Sequence, residues 1–439
     1  MRAYQPPHSR ACLPKRAGVP CEACLFTLWS RGPPGCLCKS ASALARRTIS
    51  GESTKHGRDG DNAHMRDPLR GPLQLLRAAA FVSTFDRFTI APMLVTIAAA
   101  LGVSLEQAAA AASVYFLLYG LMQPVWGMLS DSLGRVRVMR LALLAAVVPG
   151  LLSALAPNLA VLVVGRAPLV YIGDAVPISG RQKALADQLA ASAVATAIAT
   201  ATAGLAAHLG LWRFAFAAPA IAAGILGLGL ASRLPEPPKE SGDAGLLAQI
   251  GLVLRHPWAI LVVVLALVEG GVILGFLTYL APSLEAEGYG AAVAGLAVGL
   301  YGIATLGWTR VVRKATDRLG RHTLILIGGA FLASGYTAGA PDRHLAGVAL
   351  AAILVAGGFA FMHSTLQTWA TEVLPEARAT VVSFFAGSVF AGSGVATAAA
   401  APLAEAGSFG LLFALAALSA IPLGLVGSAA RLSYDRATR

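Results

Sequence analysis

Charge is scarce in this 439-residue chain: only 13% of its residues are Asp, Glu, Lys or Arg, against about 25% in ordinary soluble domains. A water-soluble fold of this length needs more polar surface than that to cover its core, which argues against a soluble enzyme. Cysteine is missing from the whole apolar body. The 5 cysteines are Cys12, Cys21, Cys24, Cys36 and Cys38, so no disulfide holds that body together. The chain has no Gly-x4-Gly-Lys-Ser/Thr loop, which argues against an ATP-driven pump. It has no His-Glu-x-x-His or Gly-x-Ser-x-Gly constellation either, so neither enzyme activity nor a cofactor is expected. What is abundant is apolar: 56% of residues are hydrophobic and the mean hydropathy is +0.68. These values describe a polytopic membrane protein.

The formal net charge of +12 is unevenly spread. Residues 1–78 carry 13 Lys/Arg against 5 Asp/Glu, and the other 361 residues carry 21 against 17. No basic patch is interleaved with aromatics, so nucleic acid is not an expected partner. Residues 1–74 are rich in Pro, Gly, Ser and Arg and read as a disordered extension. Two other readings stay open: a zinc site built on the C-x2-C and C-x-C spacings, and translation from Met65, where Met65-Arg66-Asp67-Pro68 makes an ordinary short N-terminus. The stretch Ala23 to Trp29 is too short and too weakly apolar for a signal peptide.

A membrane-spanning helix needs about 20 mostly apolar residues. That window selects twelve spans, at 75–101, 108–129, 138–156, 159–177, 185–207, 212–232, 258–282, 291–309, 322–338, 345–370, 378–403 and 408–430. The long polar gap 233–257, with Pro235, Pro237, Pro238, Lys239 and Glu240, divides them six and six. Counted from a cytoplasmic N-terminus, the cytoplasmic side holds 17 Lys/Arg, and the opposite side only Arg213 and Arg343. This asymmetry predicts an inner-membrane protein with both termini cytoplasmic. The expected fold is an all-α membrane protein with twelve transmembrane helices in two pseudo-symmetric six-helix bundles, 75–232 and 258–432. Residues 233–257 form the cytoplasmic linker between them and 433–439 a cytoplasmic tail, and the protein is expected to be a monomer in the lipid bilayer.

The halves repeat. Asp131-Ser132-Leu133-Gly134-Arg135 follows span 2, and Asp317-Arg318-Leu319-Gly320-Arg321 follows span 8, an offset of 186. Pro157 and Pro341 are 184 apart, whereas Gly210-Leu211-Trp212 and Gly407-Ser408-Phe409, before spans 6 and 12, are 197 apart. The hairpin of spans 4 and 5 is therefore about 13 residues shorter than that of spans 10 and 11. Parallel repeats of this kind mark transporters whose two bundles rock about a central site.

These residues resemble the major facilitator superfamily. The segment from Gly127 through Arg137 is similar to its signature between helices 2 and 3: Gly127, Asp131, Gly134, Arg135 and Arg137 match, whereas Ser132 and Val136 depart. The second copy matches at Asp317, Arg318, Gly320 and Arg321, with Arg313 in place of the glycine. His363-Ser364-Thr365-Leu366-Gln367-Thr368, through Leu374-Pro375-Glu376-Ala377-Arg378, resembles bacterial efflux permeases. The helix-5 antiporter motif is matched only at Gly204, within the Ala/Thr-rich stretch from Thr196. Arg166 resembles the helix-4 arginine, with Val170 where a glycine is expected. The resemblance covers about residues 75–432 and implies that spans 1 and 7 line a central cavity.

Gly127 is expected to let span 2 approach a neighbour closely. Asp131 and Arg135 read as a charge-assisted latch on the cytoplasmic side, or as a plain topology anchor. An ionisable group inside a span costs about 2.5–3.5 kcal/mol to insert and needs a function or a partner. Asp86, Arg87, Arg166 and Glu269 are such groups. Asp86 lies about 16 Å along span 1 at 1.5 Å per residue, near the bilayer midplane. Low dielectric favours a protonated carboxyl and a nearby guanidinium the ionised one, so Asp86 or Glu269 is a candidate proton carrier. Asp86 reads equally well as one half of a permanent pair with Arg87 or Arg166. Tyr115, Tyr119 and Gln123 recur every four residues along span 2, and His363, Gln367 and Thr371 do so in span 10. Each stripe faces either the cavity and the substrate or another helix. His363 is a third proton-coupling candidate. Trp126 and Trp308 read as interfacial anchors.

The expected function is secondary active transport of a small organic solute by alternating access, with proton-driven efflux as the first reading. Uptake by symport or facilitated diffusion is the second. A membrane receptor or assembly protein that transports nothing is the third.

Overall fold

The computed structural model describes residues 70–166, 181–233, 246–341 and 344–438. The N-terminal extension with its cysteines, the turn joining spans 4 and 5, most of the central linker and Arg343 lie outside the described residues. Residues 66–439 form one compact unit, nine residues longer at its start than the expected first span. Every regular element among the described residues is helical.

The first bundle begins with α1 (Arg70–Thr89), which passes through a short 3-10 turn into α2 (Leu94–Leu101). Pro92 causes the break, because it supplies no N–H to the helical ladder. α3 (Leu105–Leu133) starts in a capping box, with Ser104 Oγ accepting from the Gln107 N–H and Gln107 Oε1 accepting from the Ser104 N–H. α4 (Arg135–Ala145), α5 (Val147–Leu155), α6 (Leu159–Arg166), α7 (Arg181–His208) and α8 (Trp212–Arg233) complete the half.

The second bundle opens with α9 (Leu246–Arg255), a 10-residue helix inside the segment expected to be linker. It is too short to register as a span. α10 (Pro257–Gly270) runs into a π-turn, Gly271–Gly275, and then α11 (Leu280–Ala286). α12 (Ala291–Thr316) and α13 (Arg321–Gly339) follow, then α14 (Leu345–Gly358). A second π-turn, Phe359–His363, leads into α15 (Ser364–Glu372), and α16 (Arg378–Glu405) and α17 (Phe409–Ala437) end the chain.

Among the described residues, 10 helical segments are long and apolar enough to cross a membrane. The two other expected spans are α6, described for only 8 residues, and α13, which has 19. Arg321, His322 and a Gly-, Ser- and Thr-containing second half dilute the hydropathy of α13.

The repeat is visible in the turns. Gly102 and Gly288, 186 apart, have φ of 64° and 88°, and Gly210 and Gly407, 197 apart, have φ of 71° and 68°. All four sit at one end of the bundle, called here the rim. A side chain with a Cβ is strained in this left-handed region, so each turn needs glycine. The opposite end, the base, carries Arg70 and the end of α17.

The halves meet along two helix pairs, α3 with α16 and α7 with α12. Small residues let the backbones touch. A Cβ on Gly394 would come within 2.7 Å of the Ser113 carbonyl oxygen, and one on Gly302 within 2.5 Å of the Ala193 carbonyl oxygen. A Cβ on Gly127 would lie 2.9 Å from Ser383 Oγ. Ser113 Oγ donates to the Gly394 carbonyl across the boundary at 2.7 Å. At the rim, the Glu106 N–H near the start of α3 donates to Glu405 Oε2, from the end of α16, at 3.1 Å.

Gly295 of α12 lies against the backbone of α7 at Thr200 and Gly204, whereas Gly307 of the same helix faces open space. Gly295→Val is expected to destabilise the protein by about 1–3 kcal/mol. Gly307→Ala is expected to leave it unchanged or slightly more stable. Thermal unfolding in detergent compares the two.

Candidate functional site

Each half places one acid and one base side by side in its interior, and the helices that carry Asp86, Glu269 and His363 are interrupted nearby. In the first half, Arg166 Nη1 donates to Asp86 Oδ1 at 2.8 Å, and Arg166 Nη2 donates to the Asp86 backbone oxygen at 3.2 Å. Arg166 is 2% exposed and Asp86 24%. The guanidinium also lies over the Tyr115 ring, at 4.2 Å, and the Phe216 ring, at 5.1 Å. Of the two partners the sequence left open for Asp86, the structure selects Arg166.

In the second half, His363 Nδ1 lies 3.3 Å from Glu269 Oε2. Glu269 is 0% exposed and His363 18%. Glu269 Oε1 is buried with no hydrogen-bond partner. The imidazole stacks on Phe359, with ring centres 4.6 Å apart, and lies 5.5 Å from the Phe385 ring. Glu269 comes just before one π-turn, and His363 is the last residue of the other. Turns of this kind recur at functional positions.

The two pairs are counterparts in the repeat. Asp86 and Glu269 are 183 residues apart on spans 1 and 7, and Arg166 and His363 are 197 apart on spans 4 and 10. These offsets match those of the loop motif and of the later turns to within a few residues. The chemistry differs in one respect. A guanidinium stays protonated at any physiological pH, whereas an imidazole gains and loses its proton within that range.

Arg87 lies between the halves. Its Nη2 donates to the Tyr119 hydroxyl at 2.8 Å. Its guanidinium carbon is 4.7 Å from the Tyr119 ring centre and 4.6 Å from that of Phe390, on α16 of the other half. Phe88 meets Tyr301 of α12 at 6.3 Å, and Tyr301 meets Phe359 at 6.2 Å. An aromatic chain thus runs from α1 to the His363 ring.

The span-2 stripe divides its contacts: Tyr115 goes to Arg166, Tyr119 to Arg87, and Gln123 is buried beside Gly387 on the α3–α16 boundary. Gln367 is half-buried on α15, and its side chain makes no hydrogen bond among the described residues. A cleft inside the first half encloses about 490 Å³, open solvent at its mouth included, and is lined by Ser83, Asp86, Tyr115, Arg166, Pro149 and Ala220 among others.

The loop motifs lie at the base. The side chains of Asp131 and Arg135 are outside the described set. Gly134 joins α3 to α4 with φ of 101°, and Arg137 lies near the start of α4. In the second copy, Asp317 ends α12, Arg318 is exposed in the turn, and Gly320 opens α13. Arg321 Nη1 contacts Glu372 Oε2 at 2.5 Å. Arg431 Nη2 reaches the same oxygen at 3.3 Å and Asp435 Oδ1 at 3.0 Å. Arg431 is 2% exposed, behind Trp369 and Tyr434. Sequence reasoning missed this cluster: Arg431 counted only as a basic residue at a helix end, and the one available signal was its spacing of four from Asp435. Trp308, expected as an interfacial anchor, packs on Phe331 and Phe361 and donates its indole N–H to the Ile353 carbonyl at 3.0 Å.

Two repeated helical bundles, joined along paired small-residue helices and holding ionisable groups in their interior, define a membrane carrier of the secondary-transporter class. The chain belongs to the Major Facilitator Superfamily, whose family profile matches residues 77–398. Among solved structures, a variant of the nucleoside transporter NupG is similar at 13% identity and a TM-score of 0.66, over 82% of this chain and 99% of that one. A bacterial homologue of the human lysosomal transporter Spinster, inward-facing and unoccupied, is similar at 16% identity and a TM-score of 0.63, over 84% and 98%. A D-xylose–proton symporter is similar at 15% identity and a TM-score of 0.60, over 82% and 97%. No protein of curated function matches by sequence.

Breaking a buried ion pair strands the remaining charge. Asp86 is only partly buried, so Arg166→Gln is expected to destabilise the protein by about 1–3 kcal/mol. Adding Asp86→Asn should recover part of that loss. Unfolding curves of the two variants in detergent check this.

Proposed function

We propose that the protein is a proton-coupled transporter of a small organic solute, working by alternating access, with Glu269 as the proton carrier and His363 as its partner. The observation that carries this reading is the fully buried Glu269 carboxyl, with one oxygen toward a titratable imidazole and the other unpartnered. Such a pair can hold or release one proton as its surroundings change. Asp86, held by a base that keeps its charge, acts as a fixed brace in this reading. Arg87, Tyr119, Gln123 and Gln367 are the proposed solute contacts. Arg87, Tyr119 and Gln123 border the junction of the halves, and Gln367 is a half-buried polar side chain one helical turn beyond His363.

Export is the proposed direction, on the likeness of His363–Arg378 to efflux permeases. The protein sits in the inner membrane as a monomer with both termini cytoplasmic, a placement supported by the 17-to-2 split of basic residues. A membrane potential supplies about 2.3 kcal/mol per charge per 100 mV, enough for one proton to drive substantial accumulation or export.

Proteoliposomes with an imposed pH gradient test this reading, with ethidium, D-xylose and a mixture of amino acids as probes. Glu269→Gln is expected to abolish proton movement coupled to the transported probe, and Asp86→Asn to retain it. Undiminished coupling in Glu269→Gln would remove the proposal.

A further inference from the structure

Glu269 comes just before a turn that neighbouring helices help to hold. In the π-turn Gly271–Gly275, the Phe276 N–H reaches back five residues to the Gly271 carbonyl. One extra residue in a helical turn rotates the remainder of the helix by about 100° relative to a regular one. The rim side of span 7 is pinned beyond this turn. The Tyr279 hydroxyl donates to the Thr397 carbonyl of α16, and Thr397 Oγ1 donates to the Gly275 carbonyl at 3.5 Å. Leu267 and Gly270, on the other side of the turn, lie against the α16 backbone at Gly392 and Val389, so the π-turn sets the rotation of Glu269 relative to the rim side while both segments stay packed on α16.

Two hydroxyls from other helices hold the turn. Tyr336 of α13 is 0% exposed. Its hydroxyl donates to the Val272 carbonyl at 2.6 Å and lies 3.2 Å from the Ile273 carbonyl. Ser393 of α16 donates to the Gly270 carbonyl at 2.9 Å, while also reaching its own helix at Val389. These hydroxyls tie the carbonyls of the turn to two neighbouring helices, in addition to the turn's own five-residue hydrogen bonding. Tyr336 is otherwise surrounded by Phe276 and Phe413. A phenylalanine would fill that apolar site equally well, so the hydroxyl is there for the carbonyls.

We propose that Tyr336 is a positioning residue for proton transfer: its hydroxyl, seconded by Ser393, stabilises the π-turn that turns the Glu269 carboxyl toward His363. The proposal rests on the reading of Glu269 as the proton carrier. Among the described residues, the ionisable groups that face Glu269 are His363 of span 10 and the Tyr301 phenol of α12, with the Tyr336 hydroxyl on the turn beyond it; α16 presents none between Phe385 and Thr397.

The test needs no transported solute. Infrared titration of the purified protein in liposomes follows the protonated-carboxyl band, assigned to Glu269 by its loss in Glu269→Gln. Tyr336→Phe is expected to displace the midpoint of that band by about one pH unit, in the same direction as His363→Ala. Ser393→Ala is expected to displace it in the same sense by less, and it decides the matter if Tyr336→Phe does not fold. Tyr434→Phe, which alters a phenol at the base, is expected to titrate as the unaltered protein does. Unmoved midpoints in both Tyr336→Phe and Ser393→Ala would overturn the role of Tyr336 and leave Glu269 as the carrier. Absence of any band lost in Glu269→Gln would instead overturn the reading of Glu269 itself, and the positioning role with it.

Discussion

A charge enclosed by apolar helices has no water to turn to, so each one must meet a partner or be neutralised, a carboxylate by taking up a proton and an imidazolium by giving one up. Four of the interior ionisable groups are arranged under this constraint as two acid–base pairs, Asp86 with Arg166 and Glu269 with His363. The pairs occupy equivalent places in the two halves. What separates them is the base. Arg166 keeps its charge, adds a second contact to the Asp86 backbone and rests on the Tyr115 ring, so three interactions hold one geometry. His363 offers a single longer contact, through a neutral-or-charged type of base rather than a permanent cation. A duplicated architecture thus carries two chemically different versions of the same junction, one with a guanidinium and one with an imidazole.

The same constraint shapes the backbone. Spans 1, 7 and 10 are not continuous α-helices, and their breaks fall within a few residues of Asp86, Glu269 and His363. Hydroxyls from neighbouring helices bond the carbonyls of such turns, as Tyr336 and Ser393 do beside Glu269. Along the boundary between the halves the requirement is proximity. Gly394 and Gly302 admit the facing backbones where any side chain would collide, so close packing of small residues joins α3 to α16 and α7 to α12.

Much of this was legible in composition and spacing. Hydropathy windows located the spans because a membrane segment is a local property of about 20 residues. α9 escaped the windows through its length and α13 fell near their margin through its polar start. The paired Gly210 and Gly407 were visible as a repeat, and the left-handed turn they form gives that repeat its physical reason. The interior acids and bases stood out for their rarity alone. Gln367 and the Tyr115, Tyr119, Gln123 stripe were visible as polar positions on apolar faces, but which neighbour each meets was not.

The sequence by itself determined the membrane-spanning class, the duplicated plan and the identity of the ionisable residues in the middle of spans 1, 4, 7 and 10, because each depends on residue types at short range. Tertiary structure alone decided the pairings. Asp86 finds Arg166 rather than the adjacent Arg87, across 80 residues, and Glu269 finds His363 across 94. A partner is set by the rotation of each helix about its axis, and a single π-turn shifts that rotation by about a residue's angle, roughly 100°. No local pattern in the chain encodes that angle.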